Sequence, residues 1–254
     1  MSSFASYPSL EGRTVFVSGG GSGIGASIVE HFAAQGSKVA FVDIDEAAST
    51  ALVKKIATAG QSAVFKKCDI RDVKAYQAVI AEVAQELGTI TVLVNNAARD
   101  DRHELKDVTP EFWDERIVVN LRHAYFAIQS VAPGMKQAGG GSIVNFSSVS
   151  YHTMTPNLSV YQAAKAATIG MTRGLARDLG PDRIRLNAIT PGWIMTQRQI
   201  DLWLTPESEA ELMKAQVLKE KVYPADIARM VLWLGADDSR LVSAQNFTVD
   251  GGRS

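Results

Sequence analysis

The stretch Ser18-Gly19-Gly20-Gly21-Ser22-Gly23-Ile24-Gly25 constrains this chain more than any other. A short apolar, β-rich run precedes it, Thr14-Val15-Phe16-Val17. After it, Ile24, Ile28, Val29 and Phe32 recur at a spacing that puts them on one helical face. Gly36 stands where a helix would be capped, and Val39-Ala40-Phe41-Val42 reads as a second apolar strand. Strand, glycine turn, helix, strand is one βαβ unit with parallel strands. Glycines at that turn let backbone N–H groups approach a pyrophosphate at the positive end of the helix. A dinucleotide site also needs an acidic residue about 20 positions further on. Asp43, at the end of the second strand, supplies it.

The alternation continues to the end of the chain. Strands are expected at Ala63–Lys67, 91–95, 141–147, 184–189 and 245–249. Helices are expected at Val73–Leu87, 111–137, 160–179 and 225–234. The result is an α/β fold: a doubly wound Rossmann domain whose seven-stranded parallel sheet is covered by helices on both faces. Its 254 residues suit one such domain. Residues 1–9 read as an N-terminal tail and 10–254 as the catalytic domain. Residues 193–222 leave the alternation, carry Trp193 and Trp203, and read as a substrate loop or lid.

Composition removes several function classes. The net charge is -1, with both signs spread along the chain, so no basic stripe points to nucleic acid or an anionic membrane. Residues 1–8 lack the basic and apolar regions of a signal peptide, and no apolar run is long enough for a membrane span. A single cysteine, Cys68, excludes a disulfide framework and fits a cytoplasmic protein. The four histidines show no ligand spacing, so no metal site is expected.

Asp43 also bears on which dinucleotide binds. A carboxylate there accepts hydrogen bonds from the adenine ribose hydroxyls and repels a 2′-phosphate. Ile44 follows it and Ser22 occupies the turn, so neither position offers a cation to that phosphate. NAD is therefore the expected cofactor. Asp69, after the third strand, has two readings: a partner for the adenine amino group, or an N-cap for the helix that follows.

The catalytic signal is Tyr161 and Lys165, four apart and hence on one helical face. A free tyrosine titrates near pH 10. A neighbouring ammonium favours the phenolate, which would make Tyr161 a usable general base. Ser148 lies just past the fifth strand, at the carboxyl end of the sheet, where its hydroxyl can bond a reacting oxygen. Asn120, in an apolar helical stretch, needs buried partners and could hold a water that links Lys165 to solvent. Ser148 sits in Phe146-Ser147-Ser148-Val149, which is no G-x-S-x-G nucleophile elbow.

Taken together, Ser18-Gly19-x-x-x-Gly23-Ile24-Gly25, Asn95-Asn96-Ala97, Asn120, Ser148, Tyr161-x-x-x-Lys165 and Pro191-Gly192 resemble the short-chain dehydrogenase/reductase family, in the family's order and over nearly the whole chain. Ser18 replaces the family's Thr, and Ala98 replaces a usual Gly, narrowing the space beside the nicotinamide. The resemblance implies a catalytic tetrad of Asn120, Ser148, Tyr161 and Lys165. It implies that Gly19, Ser22, Gly23, Ile24, Asp43, Asp69, Ile70, Asn95, Ala97, Tyr161, Lys165, Pro191, Ile194 and Thr196 surround the dinucleotide, with Thr196 at the carboxamide. It also implies a homotetramer.

A finer resemblance lies in Arg99-Asp100-Asp101-Arg102-His103, Trp113-Asp114-Glu115-Arg116 and Asn120-Leu121-Arg122-His123. These segments are similar to bacterial NAD-dependent aldose 1-dehydrogenases, the D-xylose 1-dehydrogenase group among them. That similarity implies oxidation of the anomeric C1 hydroxyl of a sugar to a lactone, with Tyr161 taking the hydroxyl proton. Asn96, Ser148, Tyr151, His152, Tyr161, Gln162, Trp193 and Arg198 are the candidate sugar contacts. Other family substrates remain open at this point: a polyol, ketoacyl or steroid alcohol or ketone. A silent nucleotide binder is disfavoured by the intact Ser148, Tyr161 and Lys165.

Overall fold

Alternation along the strands builds two apolar layers, one on each face of the sheet. In the computed structural model, which describes residues 4–254, Val15 and Val17 of β1 (Thr14–Ser18) face one layer and Phe16 the other. Strand β2 (Lys38–Asp43) repeats this with Val39 and Phe41 against Ala40 and Val42, and β4 (Ile90–Asn95) with Val92 and Val94 against Leu93. A strand buried on both faces has no polar side, which is why these segments read as continuous apolar runs.

Helices α1 (Gly23–Ala34), α2 (Glu46–Thr58) and α9 (Pro224–Gly235) cover the first face. The second is covered by α3 (Val73–Leu87), α5 (His123–Gln137) and α6 (Ser159–Leu179). The remaining strands are β3 (Ala63–Lys67), β5 (Gly141–Phe146), β6 (Ile184–Pro191) and β7 (Asn246–Val249). All pairings are parallel, in the order β3-β2-β1-β4-β5-β6-β7. The chain leaves β1 toward one edge and returns at β4 beside it, with Ser18 opposite Asn95. That reversal opens a crevice at the carboxyl ends of β1 and β4, where ligands bind in such sheets.

Three local features depart from the sequence reading. Helix α2 was not anticipated: its apolar stripe is short, with Leu52 and Ile56 buried in the core and Val53 partly buried against it, and the Asp45 side chain caps it by accepting from Ala48 N–H. The helical stretch 111–137 is unbroken, as expected, but not uniformly α. It is α4 (Pro110–Ile117), a π turn (Val118–Arg122) and α5, and the turn carries Asn120. Of the tail expected at 1–9, residues 1–3 lie outside the described residues. The part that follows is packed: Tyr7 N–H donates to Gln35 Oε1 at 2.7 Å, and Leu10 is buried at the end of a short 3-10 turn (Pro8–Leu10).

The segment read as a lid carries α7 (Gln197–Trp203) and α8 (Pro206–Ala215). A parallel bridge between Ile194 and Val222 closes its base. Leu218 N–H donates to Gly251 O at 2.9 Å, which ties the segment to the carboxyl end of the chain. Among the described residues, no helix is long and apolar enough to cross a membrane.

Candidate active site

The crevice holds a cavity of about 700 Å³. Its glycine wall begins where β1 ends. Gly19 has φ +67°, and a Cβ there would stand 2.8 Å from the Ala97 Cα, so only glycine lets β1 and β4 meet this closely. Ser18 binds the two strand ends together: its hydroxyl accepts from Asn96 N–H at 3.1 Å and from Ala97 N–H at 3.2 Å. The hydroxyl shared by Ser and Thr is therefore the part of residue 18 that matters. Ser22 precedes α1 with no side-chain cap, which leaves the first N–H groups of the helix for a ligand. Gly19, Ser22, Gly23 and Ile24 all line the cavity, as do Ala97, Pro191, Ile194 and Thr196. Thr196 caps α7 through its side chain and packs its methyl against Gly23. This cradle, open backbone donors with no room for side chains, fits a dinucleotide pyrophosphate.

The two acidic positions prove distinct. Asp43 is fixed by the loop it faces: Oδ2 accepts from Gly21 N–H at 2.9 Å and Oδ1 from Asp45 N–H at 3.0 Å. Asp69 is held by Arg71 at 2.7 Å, and that guanidinium keeps its carboxyl below the usual range. Arg71 in turn reaches Glu115 at 2.8 Å. Asp69 is not the helix cap, because Asp72 accepts from Ala75 N–H and takes that role. Asp43, Asp69 and Ile70 line the cavity.

Asn95 is placed differently. It lies buried beneath the site, where its Nδ2 donates to Asn145 Oδ1 at 2.8 Å, and Asn145 donates to Thr172 at 3.0 Å. It joins β4, β5 and α6 and does not line the cavity. The reason is strand parity: Asn95 and Asn96 point to opposite sides at the strand end.

Ser148, Tyr161 and Lys165 come together on the cavity wall. The Ser148 hydroxyl accepts from Ser150 N–H at 3.2 Å and acts on the Tyr161 phenol to lower its pKa. Lys165 is buried, donates from Nζ to Phe146 O at 2.8 Å, and stands 5.6 Å from the centre of the Tyr161 ring. Its backbone carbonyl accepts from the Ser147 hydroxyl at 2.7 Å, which locks α6 to the end of β5. Asn120 lies behind this group, off the cavity. Its Oδ1 accepts from Arg99 N–H at 2.9 Å, and its Nδ2 donates to Arg99 O and Arg116 O. The π turn allows this, so Asn120 holds the loop after β4.

The sequence reading has the Lys165 ammonium and the positive nicotinamide ring together favour the phenolate, and burial sets what they work against. Loss of water around Tyr161 is the largest influence and pushes its phenol above the ordinary value. Asp100 adds to that rise, and only the Ser148 hydrogen bond and the charge of Arg102 oppose it. Burial likewise pushes Lys165 down to about 8, against a smaller opposing pull from Asp100.

The family model described as enoyl-(acyl carrier protein) reductase matches residues 19–254. A D-xylose 1-dehydrogenase of Caulobacter vibrioides is 48% identical over 98% of this chain and 99% of its own. The "Probable galactose dehydrogenase GalD" of Rhizobium meliloti is 51% identical over 97% and 96%. A solved 7 alpha-hydroxysteroid dehydrogenase complexed with NADH and 7-oxo glycochenodeoxycholic acid superposes with TM-score 0.91 at 32% identity, covering 96% of this chain and 95% of that one. The chain belongs to the short-chain dehydrogenase/reductase family. It is an oxidoreductase that works with a nicotinamide cofactor.

In this short-chain dehydrogenase/reductase, the candidate sugar contacts divide. Trp193 and Arg198 line the cavity. Asn96 lines it too, but its Nδ2 is engaged by Gly19 O at 2.9 Å and Ser18 O at 3.1 Å. Gln162 lies outside the lining and braces the loop after β5, donating to Ser150 O at 2.9 Å and Thr155 O at 2.6 Å. His152 also lies outside it, with its exposed ring stacked on Tyr151 at 4.0 Å. Helical spacing placed Gln162 beside Tyr161 but said nothing of the unpaired loop carbonyls that capture its amide.

The sequence reading missed Asp100, Arg102, Gln199 and Trp203 as cavity residues. The dense charge of Arg99-Asp100-Asp101-Arg102 just after a strand end was the available signal, and it was read only as a family mark.

Proposed function

We propose that this protein oxidises the anomeric C1 hydroxyl of an aldose, a D-xylose-like pentose or related sugar, to the lactone, with NAD as cofactor. The observation that carries the reading is the meeting of Ser148, Tyr161 and Lys165 at the wall of a dinucleotide cavity. Two relatives about half identical along nearly their full length, named for xylose and galactose oxidation, support the sugar.

Bound NAD⁺ supplies the hydride acceptor. The protein's own residues manage the proton and the position. Ser148 donates to the C1 oxygen and holds it against the Tyr161 hydroxyl. Tyr161 removes the proton from that oxygen in its phenolate form. Lys165, fixed by Phe146 O, holds its ammonium beside the ring and favours that form when protonated. Asn120 positions the Arg99 backbone behind them.

Asp43 supports NAD over its 2′-phosphorylated form, because its carboxylate repels a phosphate at the ribose. Among the described residues, the cation that lines the cavity beside Asp69 is Arg71, and it is already held by Asp69 and Glu115. Half-exposed Trp113 and Tyr125, on α4 and α5, support the reading of a homotetramer packed through these helices. The lone cysteine supports a cytoplasmic setting.

The test is a panel of pentoses, hexoses and deoxyhexoses, each with NAD⁺ and with NADP⁺, followed by NADH or NADPH absorbance and by lactone detection. Turnover of at least one aldose with NAD⁺ preferred is expected. No lactone from any sugar overturns the substrate reading, and a preference for NADP⁺ overturns the cofactor reading.

A further inference from the structure

One wall of the cavity is unexplained by cofactor or catalytic residues, and it is built around Asp100. Two consecutive residues of the lid helix take its two carboxylate oxygens. Arg198 ion-pairs with Oδ1, and Gln199 Nε2 donates to Oδ2 at 3.0 Å. Gln199 is itself oriented, since its Oε1 accepts from the Trp193 indole N–H at 2.9 Å. Next to it, Asp101 is claimed by buried Arg116 and by Arg99 at 3.1 Å, and Arg198 reaches it only at 3.8 Å. Asp100 therefore has a fixed place, its side chain keeps 21% exposure, and it lines the cavity together with Tyr161, Trp193 and Arg198.

This arrangement has two chemical consequences. A carboxylate offers about four acceptor positions, and the lid occupies two, so two remain for donors inside the cavity. Arg198 and Arg102 also line this wall, and Arg102 is spent on Pro156 O at 3.2 Å and on the face of Trp203 at 4.9 Å. Asp100 is the group that cancels Arg198. Without it, Arg198 would keep only its long 3.8 Å approach to Asp101, and its guanidinium, a fork that suits a substrate carboxylate, would be largely uncompensated at the cavity.

We propose that Asp100 is the specificity-determining residue of the substrate wall, accepting hydrogen bonds from substrate hydroxyls away from the oxidised carbon and, by neutralising Arg198, selecting neutral polyhydroxyl substrates over anionic ones. The neutral sugar in this statement rests on the aldose reading above. Selection of this kind combines an attraction with a repulsion: a hydroxyl finds an acceptor, and a carboxylate meets a like charge.

The test uses the full-length protein and compares Asp100→Asn with wild type. The probes are D-xylose, D-galactose and the anionic counterpart D-galacturonate, each with NAD⁺ at several pH values. Asp100→Asn keeps the shape and removes the charge. KM for the neutral sugar is expected to rise about 10-fold or more, with kcat changed much less, since a hydrogen bond to a charged group is worth about 1.5–3 kcal/mol. The ratio of kcat/KM for galactose over galacturonate falls. Because the Asp100 charge opposes ionisation of Tyr161, the pH at which kcat/KM half-rises moves downward as well, which a merely structural role would not produce. The double variant Asp100→Asn/Arg198→Gln removes the freed cation, so galacturonate loses its gain while the raised KM persists.

Unchanged KM and unchanged selectivity in Asp100→Asn, with dinucleotide affinity intact by fluorescence titration, overturn the proposal. If Asp100→Asn does not fold, Arg198→Gln decides: a stronger preference against galacturonate in that variant than in wild type supports the proposal, and an equal or weaker one overturns it. A wild type that oxidises other alcohols but no aldose overturns the aldose reading alone, and the neutral-to-anionic ratio is then taken on the best of those alcohols. A wild type silent on every alcohol overturns both.

Discussion

Lys165 Nζ stands 5.6 Å from the centre of the Tyr161 ring and is held there by the Phe146 carbonyl, yet the phenol it faces is pushed upward by burial. The pair thus becomes basic only as protons are withdrawn. Since oxidation needs the phenolate, kcat/KM for the alcohol rises with pH through the neutral range. Tyr161→Phe removes the base and lowers kcat/KM by about 10²–10⁴-fold, while the dinucleotide Kd stays within a few-fold of wild type. Steady-state rates across pH with a parallel binding titration check this, and unaltered turnover in the variant removes Tyr161 from the chemistry.

Asp43 does two jobs with one carboxylate, so its replacement must separate charge from hydrogen bonding. Asp43→Asn can still accept from Gly21 N–H, the bond that fixes the glycine loop at 2.9 Å. It loses the charge and, because an amide has a single acceptor oxygen, the weaker bond from Asp45 N–H. The expected result is a rise in the ratio of NADP⁺ to NAD⁺ use by about 10-fold, the scale of one lost charge–charge repulsion near the surface, at little cost in thermal stability. A fall in stability equal to that of Asp43→Ala would show that the charge itself holds the loop.

Gly19 tests the cradle by sterics. Its φ of +67° disfavours any side chain, and a Cβ would stand 2.8 Å from the Ala97 backbone. Gly19→Ala should cost about 1–3 kcal/mol of stability and weaken dinucleotide binding more than tenfold (about 1.4 kcal/mol). Chemical denaturation and fluorescence titration measure the two effects, and a variant that binds dinucleotide as wild type does refutes the close approach of the two strand ends.

Much of this fold was legible because buried parallel strands leave an unmistakable apolar signature. β3 and α3 fall where the spacing put them, as do Ser148, Tyr161 and Lys165 on the cavity wall. What stayed hidden was mostly the business of loops. The amides of Gln162 and Asn96 are taken by carbonyls far away in the sequence or across a turn, and no periodicity encodes that. The role of Asp100 depends on α7, nearly a hundred residues away (|i−j| of 98 and 99 to its partners), folding over the strand ends. Helix α2 escaped notice because its apolar stripe is short, Leu52, Val53 and Ile56 beside buried Ser49, and its cap residue Asp45 follows Asp43 so closely. The π turn at Asn120 is a matter of backbone geometry that residue types alone leave open.

His123 gives the protein an acid sensitivity unconnected with catalysis. It is buried at the start of α5, with its ring 6.4 Å from that of Tyr76. Burial, reinforced by the charge of Lys165, pushes it down from 6.5 to about 3. Below pH 6.5 the unfolded chain therefore binds a proton that the folded chain refuses, so the unfolded state is favoured as acid is added. The stability contributed by this neutral histidine is fully present above pH 6.5 and declines by about 1.4 kcal/mol per pH unit toward pH 3. His123→Leu keeps the position apolar and removes the titration. Urea midpoints measured between pH 4 and 7 (a span chosen to sit about inside that window) should fall less steeply for the variant, by one proton's worth of slope. Parallel pH dependences for variant and wild type would mean that the folded protein already protonates His123, and hence that water reaches the ring.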